Sequence, residues 1–455
     1  MPVFESRSVM PVTADELYAY HARPGAFRRL APPWQKLHVV EESGDVCGGR
    51  VVFDVWFGPL RRRWTAEMGR AVPGRQFVDR QTDGPFAAWE HTHRFLPRDD
   101  GRSELLDHVE YRLPAGWLGD AAGERPATRT LERLFDFRHR RTRLDLERHA
   151  IWADRPRLTV VIGGAGGLVG SHLADYLTTA GHRVVRLVRR ETAGPGEIAW
   201  DPDAGRLDPA SLEGADALVN LGGVTIAGLW TASRRRAIVE SRVKATQTLA
   251  RALAAMDGPP PVLVSASAVG AYGSRGDEPI AEDAPLGQGF LADVCRAWEA
   301  AADEARDAGA RVVTTRFGIV VSGAGGALAQ MLPAFRAGAG GRLGAGDQFW
   351  AWVDLDDVLS AIEWAIHVEG LEGPVNVTSP EPVTNRRFTD VLGAVLRRPT
   401  VLAAPDVVLR RGLGGLGEEM FLASQRALPA RLRERGFRFS LPDLEDALRY
   451  ELGRT

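Results

Sequence analysis

The sequence is poor in cysteine: among 455 residues there are only two, Cys47 and Cys295, and they lie far apart. Disulfide frameworks and cysteine-based zinc sites need larger and more closely spaced sets. We therefore expect neither a disulfide framework nor a metal site. Unpaired thiols are typical of reducing compartments, so we expect a cytoplasmic location.

Long apolar runs and an excess of one charge are also lacking. No run approaches the ~18 apolar residues that span a membrane, and the first residues, MPVFESRSVMPVT, lack the charged-then-apolar order of a signal peptide. The net charge of −2 gives no electrostatic reason to bind nucleic acid or an anionic membrane. The composition as a whole, 44% apolar and 25% charged, is typical of a globular protein. Its length predicts two or three domains.

The stretch from Leu158 to Arg190 carries the strongest functional signal. An apolar run at its start predicts a buried strand, an amphipathic segment after it predicts a helix, and Val184–Val188 predicts a second strand. Between strand and helix lie three glycines at a spacing of three: Gly164, Gly167 and Gly170. Glycine lets the backbone turn sharply and approach a pyrophosphate, which then faces the N–H groups of the helix N-terminus. The pattern predicts a dinucleotide site; the alternative is a glycine-rich structural turn.

The end of the second strand indicates which dinucleotide is bound. NAD sites usually have an acid there, which binds the ribose 2′-hydroxyl. Here the strand is followed by Arg189 and Arg190, and the first acid is Glu191. Guanidinium groups match the geometry of a 2′-phosphate. The two arginines therefore favour NADP over NAD, unless they form a solvated basic loop.

Beyond Arg190, predicted strands and helices alternate. They are a strand at Ala217–Leu221, a helix at Thr231–Met256, a strand at Val262–Ser265, a helix at Phe290–Ala308 and a strand at Arg311–Val321. This alternation predicts a Rossmann-like, doubly wound parallel sheet whose ligands bind at the carboxyl ends of the strands. The glycine-rich span Ser322–Gly346 is predicted to be a mobile loop at the site or, alternatively, a plain surface connection.

The first 150 residues predict a separate α+β domain. A strand and a helix after Thr13 precede a run of predicted antiparallel strands, and a long charged helix follows at Ala127–His149. This order resembles the helix-grip (START-like) fold of polyketide cyclases and lipid-transfer modules. The resemblance implies an apolar ligand cavity beneath the long helix, lined by aromatic residues such as Trp56, Trp64, Phe86 and Trp89. The basic run 138–141 is either a solvated helix face or a site for a ligand acid.

The region from about 158 to 448 resembles the short-chain dehydrogenase/reductase superfamily. It is most similar to an atypical extended branch, the epimerase-like proteins described as sugar-nucleotide epimerases or cell-division inhibitors. The segments that carry the resemblance are VVIGGAGGLVG, VNLGGVTIAGLW, SASAVGAYG, CRAWE, TTRFGIVVSGAGGALAQMLPAFRAG, WVDLDDV and NVTSPEPVTN. The C-terminal tail, SQRALPARLRERGF, resembles the extension of the same group.

The resemblance implies roles for individual residues. Asn220 to Gly223 stands for an Asn-x-Ala-Gly segment that lines the cofactor. Ser265 and Ser267 end the strand on which the superfamily keeps its catalytic serine, and Tyr272 follows in a Tyr-Gly pair. We predict Ser267 and Tyr272 as catalytic residues. The predicted cofactor-binding residues are Gly164, Gly167, Leu168, Val169, Gly170, Arg189, Arg190, Asn220, Leu221, Gly222, Gly223 and Ser265.

One departure from the superfamily concerns the proton chemistry. Its members use a Tyr-x-x-x-Lys pair, in which the lysine lowers the tyrosine pKa. In this chain Leu291 and Cys295 stand at the two positions, and neither replaces the lost acid/base. A lone cysteine is more often a packing residue than a catalytic thiol.

Two readings of function therefore stay open. The first is an NADP-dependent epimerase- or dehydratase-like oxidoreductase with nonstandard proton chemistry, in which Asp293 is the nearest acid. The second is a catalytically silent dinucleotide-binding regulator or scaffold. The predicted domains are a helix-grip unit at 1–152, a Rossmann-like unit at 158–375 and an extension at 376–455 that completes the substrate side. The sequence leaves the substrate and the oligomeric state open.

Overall fold

A computed structural model describes residues 1–114 and 116–454, with the side chains of 116–124 left out. It contains two large sheets, one antiparallel and one parallel, each with seven strands. Within the described residues, no helix is both long and apolar enough to cross a membrane.

The first sheet is antiparallel, in the order β1-β7-β6-β5-β4-β3-β2. Its strands and helices are β1 Val3–Met10, α1 Ala14–Ala22, α2 Ala26–Arg29, β2 Leu37–Ser43, β3 Arg50–Phe57, β4 Leu60–Val72, β5 Gln76–Asp83, β6 Ala88–Pro97, β7 Ser103–Arg112 and α3 Gly116–Ala150. Thr13 caps α1 by accepting a hydrogen bond from the Glu16 amide, as its position predicts. The helix-grip prediction is confirmed, although β2 was not foreseen because this edge strand is mostly exposed.

The long helix α3 covers the concave face of this sheet. Leu131 and Phe135 pack with Trp89, Val109 and Tyr111 in one core cluster. The basic run on α3 is not a solvated face, because His139 and Arg141 are buried. The rings of Trp64, Phe86 and Trp89 contact one another, whereas Trp56 lies under the Lys36 ammonium.

The interior of this domain is polar beneath the middle of α3, whereas the apolar cavity stays a prediction. Two buried residues there, His91 and Asp107, point from neighbouring strands toward His139 of the helix. The sequence pattern of β6 does not predict the burial of His91, because a polar residue such as histidine is expected on the solvent side of a strand.

The second sheet is parallel, in the order β10-β9-β8-β11-β12-β14-β19. The strands and helices of this region are β8 Thr159–Gly163, α4 Leu168–Thr179, β9 Arg183–Val188, β10 Glu197–Ala199, β11 Ala217–Asn220, α5 Ala232–Ala254, β12 Val262–Ala268, β13 Pro279–Ile280, α6 Phe290–Ala300, α7 Asp303–Asp307, β14 Val312–Phe317, β15 Ile319–Val321, α8 Gly326–Arg336, β16 Gly341–Leu343, β17 Phe349–Trp350, β18 Trp352–Asp354, α9 Leu355–His367 and β19 Gly373–Val377. The strand order reverses between β8 and β11, because β9 and β10 follow on one side of β8 and the later strands on the other. This switch point places the ligand crevice at the carboxyl ends of β8 and β11. The Rossmann-like prediction is confirmed.

The glycine-rich span 322–346 is not a loop. It contains α8 and β16. Leu328, Leu332 and Phe335 of α8 are buried in a core cluster that they share with Phe388 and Leu448. Its glycines obscured the apolar spacing of these three residues. The predicted helix at 290–308 is likewise two helices, α6 and α7.

The C-terminal part packs on the far end of the parallel sheet. Its elements are β20 Val383–Thr384, α10 Asn385–Leu396, β21 Leu402–Ala404, α11 Asp406–Leu413, a π-helical turn at Gly417–Leu422, β22 Arg426–Ala427, α12 Ala430–Glu434 and α13 Leu444–Leu452. Short two-stranded pairings tie it back to the Rossmann-like region: β13 to β22, β16 to β21 and β17 to β20.

Buried ion pairs join the first domain to the start of α9. Arg29 Nη1 lies 2.8 Å from Asp356 Oδ1, and Arg141 Nη2 lies 3.1 Å from Asp356 Oδ2. Arg148 Nη2 donates to Asp357 Oδ1 at 2.9 Å. All five residues are buried. The acids of the WVDLDDV segment are therefore more than helix caps, although Asp354 does cap α9.

Candidate dinucleotide-binding site

The turn between β8 and α4 has the geometry of a phosphate-binding turn. Gly164 has a φ of +80°, and a Cβ there would lie 2.7 Å from the carbonyl carbon of Leu221. A Cβ on Gly170 would lie 2.3 Å from Gly164 O. Only glycine fits at both positions, because the turn contacts both the neighbouring loop and its own helix.

The N-terminus of α4 faces the cleft at this turn. Gly167 is the N-cap and makes no side-chain capping bond, so the N–H groups of the first turn, including those of Leu168 and Val169, have no intrahelical partner. A Cβ on Gly166 would meet nothing within 4 Å. Open space beside free N–H groups fits a pyrophosphate.

The loop after β11 is braced by side chains. Asn220 is fully buried; its Nδ2 donates to Thr246 Oγ1 at 2.8 Å and its Oδ1 accepts from the Gly222 amide at 3.3 Å. Arg242 donates to Val224 O at 2.9 Å on the far side of Gly223. Asn220 therefore positions Leu221 to Gly223 against the glycine turn, and its own polar atoms are already used.

Ser265 is placed beside Asn220, its register partner in the parallel sheet. It is buried, and its hydroxyl has no hydrogen-bond partner within the described part of the chain. A buried hydroxyl without a partner is uncommon, and it lies where the strands end at the cleft.

Arg189 and Arg190 follow β9 and are exposed. Arg189 Nη1 lies 4.0 Å from Asp203 Oδ2, and Arg190 forms an ion pair with Glu197. The carboxyl end of β9 carries no acid of its own. The site residues on this side therefore fit a 2′-phosphate, with Arg189 the less tightly held of the two guanidinium groups.

The two predicted catalytic hydroxyls belong to one hydrogen-bonded network. Ser267 Oγ donates to Glu299 Oε1 at 2.7 Å, and Arg316 binds both Glu299 oxygens at 2.8 Å. Arg316 Nη1 also donates to Tyr272 Oη at 2.9 Å, and that hydroxyl donates to Asn376 Oδ1 at 2.7 Å. The Ser267 side chain also interacts with the Cys295 thiol, and the Tyr272 hydroxyl is engaged as both acceptor and donor.

Burial sets the ionisation of the groups nearby. Burial raises the pKa of Tyr272, and the Arg316 guanidinium offsets part of that rise. Burial also raises the pKa of the Cys295 thiol, which donates to Ala268 O at 3.7 Å. Asp293 is exposed and pairs with Arg296, so it does not join the network.

Three members of the network, Glu299, Arg316 and Asn376, were not predicted as site residues from the sequence. Glu299 lies in the predicted helix Phe290–Ala308, Arg316 lies in the predicted strand Arg311–Val321, and Asn376 begins the segment NVTSPEPVTN. A signal was present, because an arginine inside the apolar strand VVTTRF needs a buried partner. The partner could not be identified, since Glu299 lies on a different element.

The fold and the glycine turn define the class: a Rossmann-type protein with an NAD(P)-type dinucleotide turn. Residues 160–377 match the family described as NAD dependent epimerase/dehydratase. Residues 404–451 match a domain of unknown function, DUF1731, and residues 10–135 match the polyketide cyclase/dehydrase and lipid transport family.

The alignments between this chain and its relatives span most of each relative's length. An epimerase family protein of Mycobacterium bovis is 43% identical over 296 residues, which is 65% of this chain and 98% of the relative. The human epimerase family protein SDR39U1 is 33% identical over 296 residues, 64% of this chain and 99% of the relative. The chain belongs to the epimerase family.

Solved structures agree with this assignment. A nucleoside-diphosphate sugar epimerase from Corynebacterium glutamicum is 33% identical, with a TM-score of 0.82 over 99% of this chain and 90% of that one. The structure of human SDR39U1 (isoform 2) with NADPH is 31% identical, with a TM-score of 0.60 over 66% of this chain and all of that one. The first of these also shares the N-terminal domain, because the match covers nearly the whole chain.

Proposed function

We propose that this protein binds NADP(H) and acts as an epimerase- or dehydratase-like oxidoreductase on a small polar substrate. The observation that carries the proposal is the pairing of a sterically required glycine turn with two exposed arginines at the end of β9. The turn and the first-turn amides of α4 would hold the pyrophosphate, and Arg189 with Arg190 the 2′-phosphate. The NADPH in the human relative supports the same choice.

The remaining residues would serve the substrate. When bound, NADP(H) supplies or accepts a hydride at its nicotinamide ring. In this proposal Ser267 accepts a hydrogen bond from a substrate hydroxyl, and it takes that hydroxyl's proton as it gives its own proton to the Glu299 carboxylate. Arg316 keeps the Glu299 carboxylate in place and holds Tyr272 beside it. This network takes the place of the Tyr-x-x-x-Lys pair.

A double substitution tests the cofactor choice. Wild type should bind NADPH at least about tenfold more tightly than NADH, equivalent to about 1.4 kcal/mol. Arg189→Ala/Arg190→Ala should remove this preference and leave NADH affinity unchanged, because NADH has no 2′-phosphate. Alanine is preferred to glutamate, since a carboxylate at position 190 would face Glu197. Fluorescence titration with both cofactors measures the effect.

The matched control is Arg183→Ala, an exposed arginine at the opposite end of β9. It should leave both affinities unchanged. Equal affinities of wild type for the two cofactors, or NADPH binding that survives the double substitution, would refute the assignment.

A crystal structure with NADP tests the catalytic residues. Ser267 Oγ or Tyr272 Oη should lie within about 5 Å of nicotinamide C4, with room for one water or substrate group between them. With a substrate identified by mass spectrometry of copurifying molecules, Ser267→Ala should lower turnover by about 10²-fold and leave NADPH affinity unchanged. Tyr272→Phe should act more weakly, because the tyrosine hydroxyl is already saturated.

A second candidate function is a silent dinucleotide sensor or scaffold. It is favoured by the apolar Leu291 and the buried thiol of Cys295 at the positions of the usual pair. A nicotinamide surrounded only by apolar side chains and Cys295 in the NADP complex would favour this function. So would NADPH binding without turnover of any copurifying molecule.

Three finer points complete the proposal. The chain divides at 1–152, 158–375 and 376–455, and the last part closes the substrate side, which Glu419 supports by binding the N-terminus of α6. The first domain takes a ligand with an apolar part, which the aromatic cluster of Trp64, Phe86 and Trp89 would contact. The protein works in the cytoplasm, which the unpaired Cys47 and Cys295 fit.

A further inference from the structure

The interior of the first domain holds a cluster of two carboxylates and three histidines, which we name the His/Asp cluster. Its members come from four elements but share one face of the sheet or the helix above it: Asp79 on β5, His91 and His93 on β6, Asp107 on β7 and His139 on α3. Side chains two residues apart on a strand share a face, which brings His91 and His93 together.

The sheet register places the acids opposite the histidines. Asp79 is the direct partner of His91, and Asp107 is the direct partner of His93. Asp79 Oδ2 lies 3.1 Å from His91 Nδ1 and 3.5 Å from His93 Nε2. A tetrahedral zinc site with bonds of about 2.0–2.1 Å has ligand atoms about 3.3 Å apart. The two distances from Asp79 therefore match the edge of such a site, and the two histidine nitrogens lie within 4.8 Å of each other.

The opposite ring nitrogens face the second acid. Asp107 Oδ1 lies 3.0 Å from His91 Nε2 and 2.7 Å from His93 Nδ1. The hydrogen bond between His91 Nε2 and Asp107 leaves the lone pair of His91 Nδ1 on the side of Asp79. His93 Nδ1 lies close to Asp107 without a well-directed hydrogen bond among the described residues, and a proton on that nitrogen leaves the Nε2 lone pair on the side of Asp79. A carboxylate behind each metal-binding histidine is the usual outer shell of zinc sites.

The outer shell is itself fixed. The other oxygen of Asp107 lies 2.7 Å from His139 Nε2, and His139 Nδ1 lies 2.9 Å from Ser8 Oγ. Asp107 and His139 are both buried. Side chains held on both sides keep the ligands in position before a metal arrives.

A second triad offers a contrast. His182, Glu363 and His367 also bring three donor atoms within 4.8 Å of one another. However, His182 Nδ1 accepts a hydrogen bond from the Leu158 amide at 2.9 Å. The proton of the neutral ring is then on Nε2, which lies 3.4 Å from Glu363 Oε1 and has no lone pair for a metal. This triad supplies the control.

We propose that the first domain binds one divalent transition-metal ion of the zinc type through Asp79, His91 and His93, with Asp107 as the outer-shell acceptor. The scarcity of cysteine excludes only thiolate sites, and imidazole with carboxylate is a normal ligand set for zinc. Three protein ligands leave a fourth position open to water or to an oxygen of a bound ligand. Neither the dinucleotide site nor its proposed chemistry involves these residues.

Titration of the chelator-treated full chain with Co²⁺ tests the site. One equivalent should bind with visible ligand-field absorption, and Zn²⁺ should displace it. His93→Gln should abolish the absorption, Asp107→Asn should weaken binding by about 10–100-fold, and His367→Gln should change nothing. Absence of binding in wild type, signal that persists in His93→Gln, or equal loss in His367→Gln would overturn the proposal.

A second measurement does not depend on folding of the variants. X-ray absorption of Zn²⁺ on the wild-type chain should show nitrogen and oxygen ligands near 2.0 Å with scattering from two imidazole rings. A shell without imidazole scattering would also overturn the proposal. The His/Asp cluster would then be a hydrogen-bonded network that holds a proton in place of a metal.

Discussion

His149 is a histidine for which burial outweighs every neighbouring charge. It is 5% exposed at the junction of α3 and α4, and its ring packs 4.8 Å from that of Tyr176. Neither ring nitrogen has a hydrogen-bond partner among the described residues. Burial lowers its pKa to about 4, although Glu363 and Asp145 act in the opposite direction. The folded protein therefore holds His149 neutral across most of the acidic range.

This pKa predicts a stability difference that depends on pH. Between pH 6.5 and about 4 the unfolded chain binds a proton on His149 and the folded chain does not, so wild type loses stability as the pH falls. His149→Phe removes this loss and keeps the ring contact with Tyr176. Relative to wild type, the variant should gain about 2 kcal/mol between pH 7.5 and pH 5.

Denaturant unfolding at the two pH values measures the gain. Other titrating groups are common to both proteins and cancel in the difference. The exposed His38→Phe is the control and should show no such gain. A difference between wild type and His149→Phe that is the same at both pH values would contradict the prediction.

At the scale of single elements, α6 depends on a residue far along the chain. Its N-cap, Gly289, makes no side-chain capping bond. Instead the Glu419 carboxylate accepts from the Phe290 amide at 3.0 Å and from the Leu291 amide at 2.8 Å. A carboxylate at this end also interacts favourably with the helix dipole. The C-terminal part thus fixes the helix that carries Glu299.

Glu419→Ala should fray the first turn of α6 and cost about 1 kcal/mol of stability. Hydrogen exchange of the amides at the start of α6 should accelerate, and exchange in α5 should not. Glu418→Ala is the matched control, because Glu418 is exposed and its carboxylate pairs with Arg410 on the surface. Unchanged exchange in α6 would show that its packing alone fixes the helix.

On the scale of the whole molecule, Asp356 joins residues from distant parts of the chain. It receives Arg29 and Arg141 from the first domain and the Tyr450 hydroxyl from α13, at 2.9 Å. The two arginines hold the pKa of Asp356 well below its usual range, despite full burial. Asp354 and Glu451 lie nearby, and burial raises the pKa of Glu451 to about 7.

Asp356→Asn should destabilise the folded chain by about 3 kcal/mol, because it removes the nearer carboxylate partner of the buried Arg141 and one of the two carboxylates that pair with the buried Arg29. The loss should change little between low and high salt, since a buried pair is poorly screened. The control, Asp100→Asn, removes an exposed partner of Arg102 and should leave the unfolding midpoint unchanged. A loss as small as that of the control would mean that water reaches the junction.

The sequence by itself determined both fold classes and the cofactor turn. The pattern that encodes the cofactor turn is local: the glycine spacing, the flanking strands and the two arginines lie within about thirty residues. The fold classes follow from the order of the predicted strands and helices. Local spacing fixes backbone conformation and the face on which a side chain lies. Gly164 and Gly170 were therefore recognisable before the turn was seen. The same dependence on local spacing explains why α8 was not predicted: the glycines of this span obscure the spacing of its apolar residues.

Only the tertiary structure decided which charged groups meet. Ser267 and Glu299, Arg141 and Asp356, and His93 and Asp107 are each brought together from different elements. A charged or polar residue within an apolar strand predicts that a buried partner exists, but not which residue provides it. The choice depends on strand register and helix packing, which involve residues up to hundreds of positions apart. The ion pairs between the domains and the His/Asp cluster could therefore be recognised only in the folded chain.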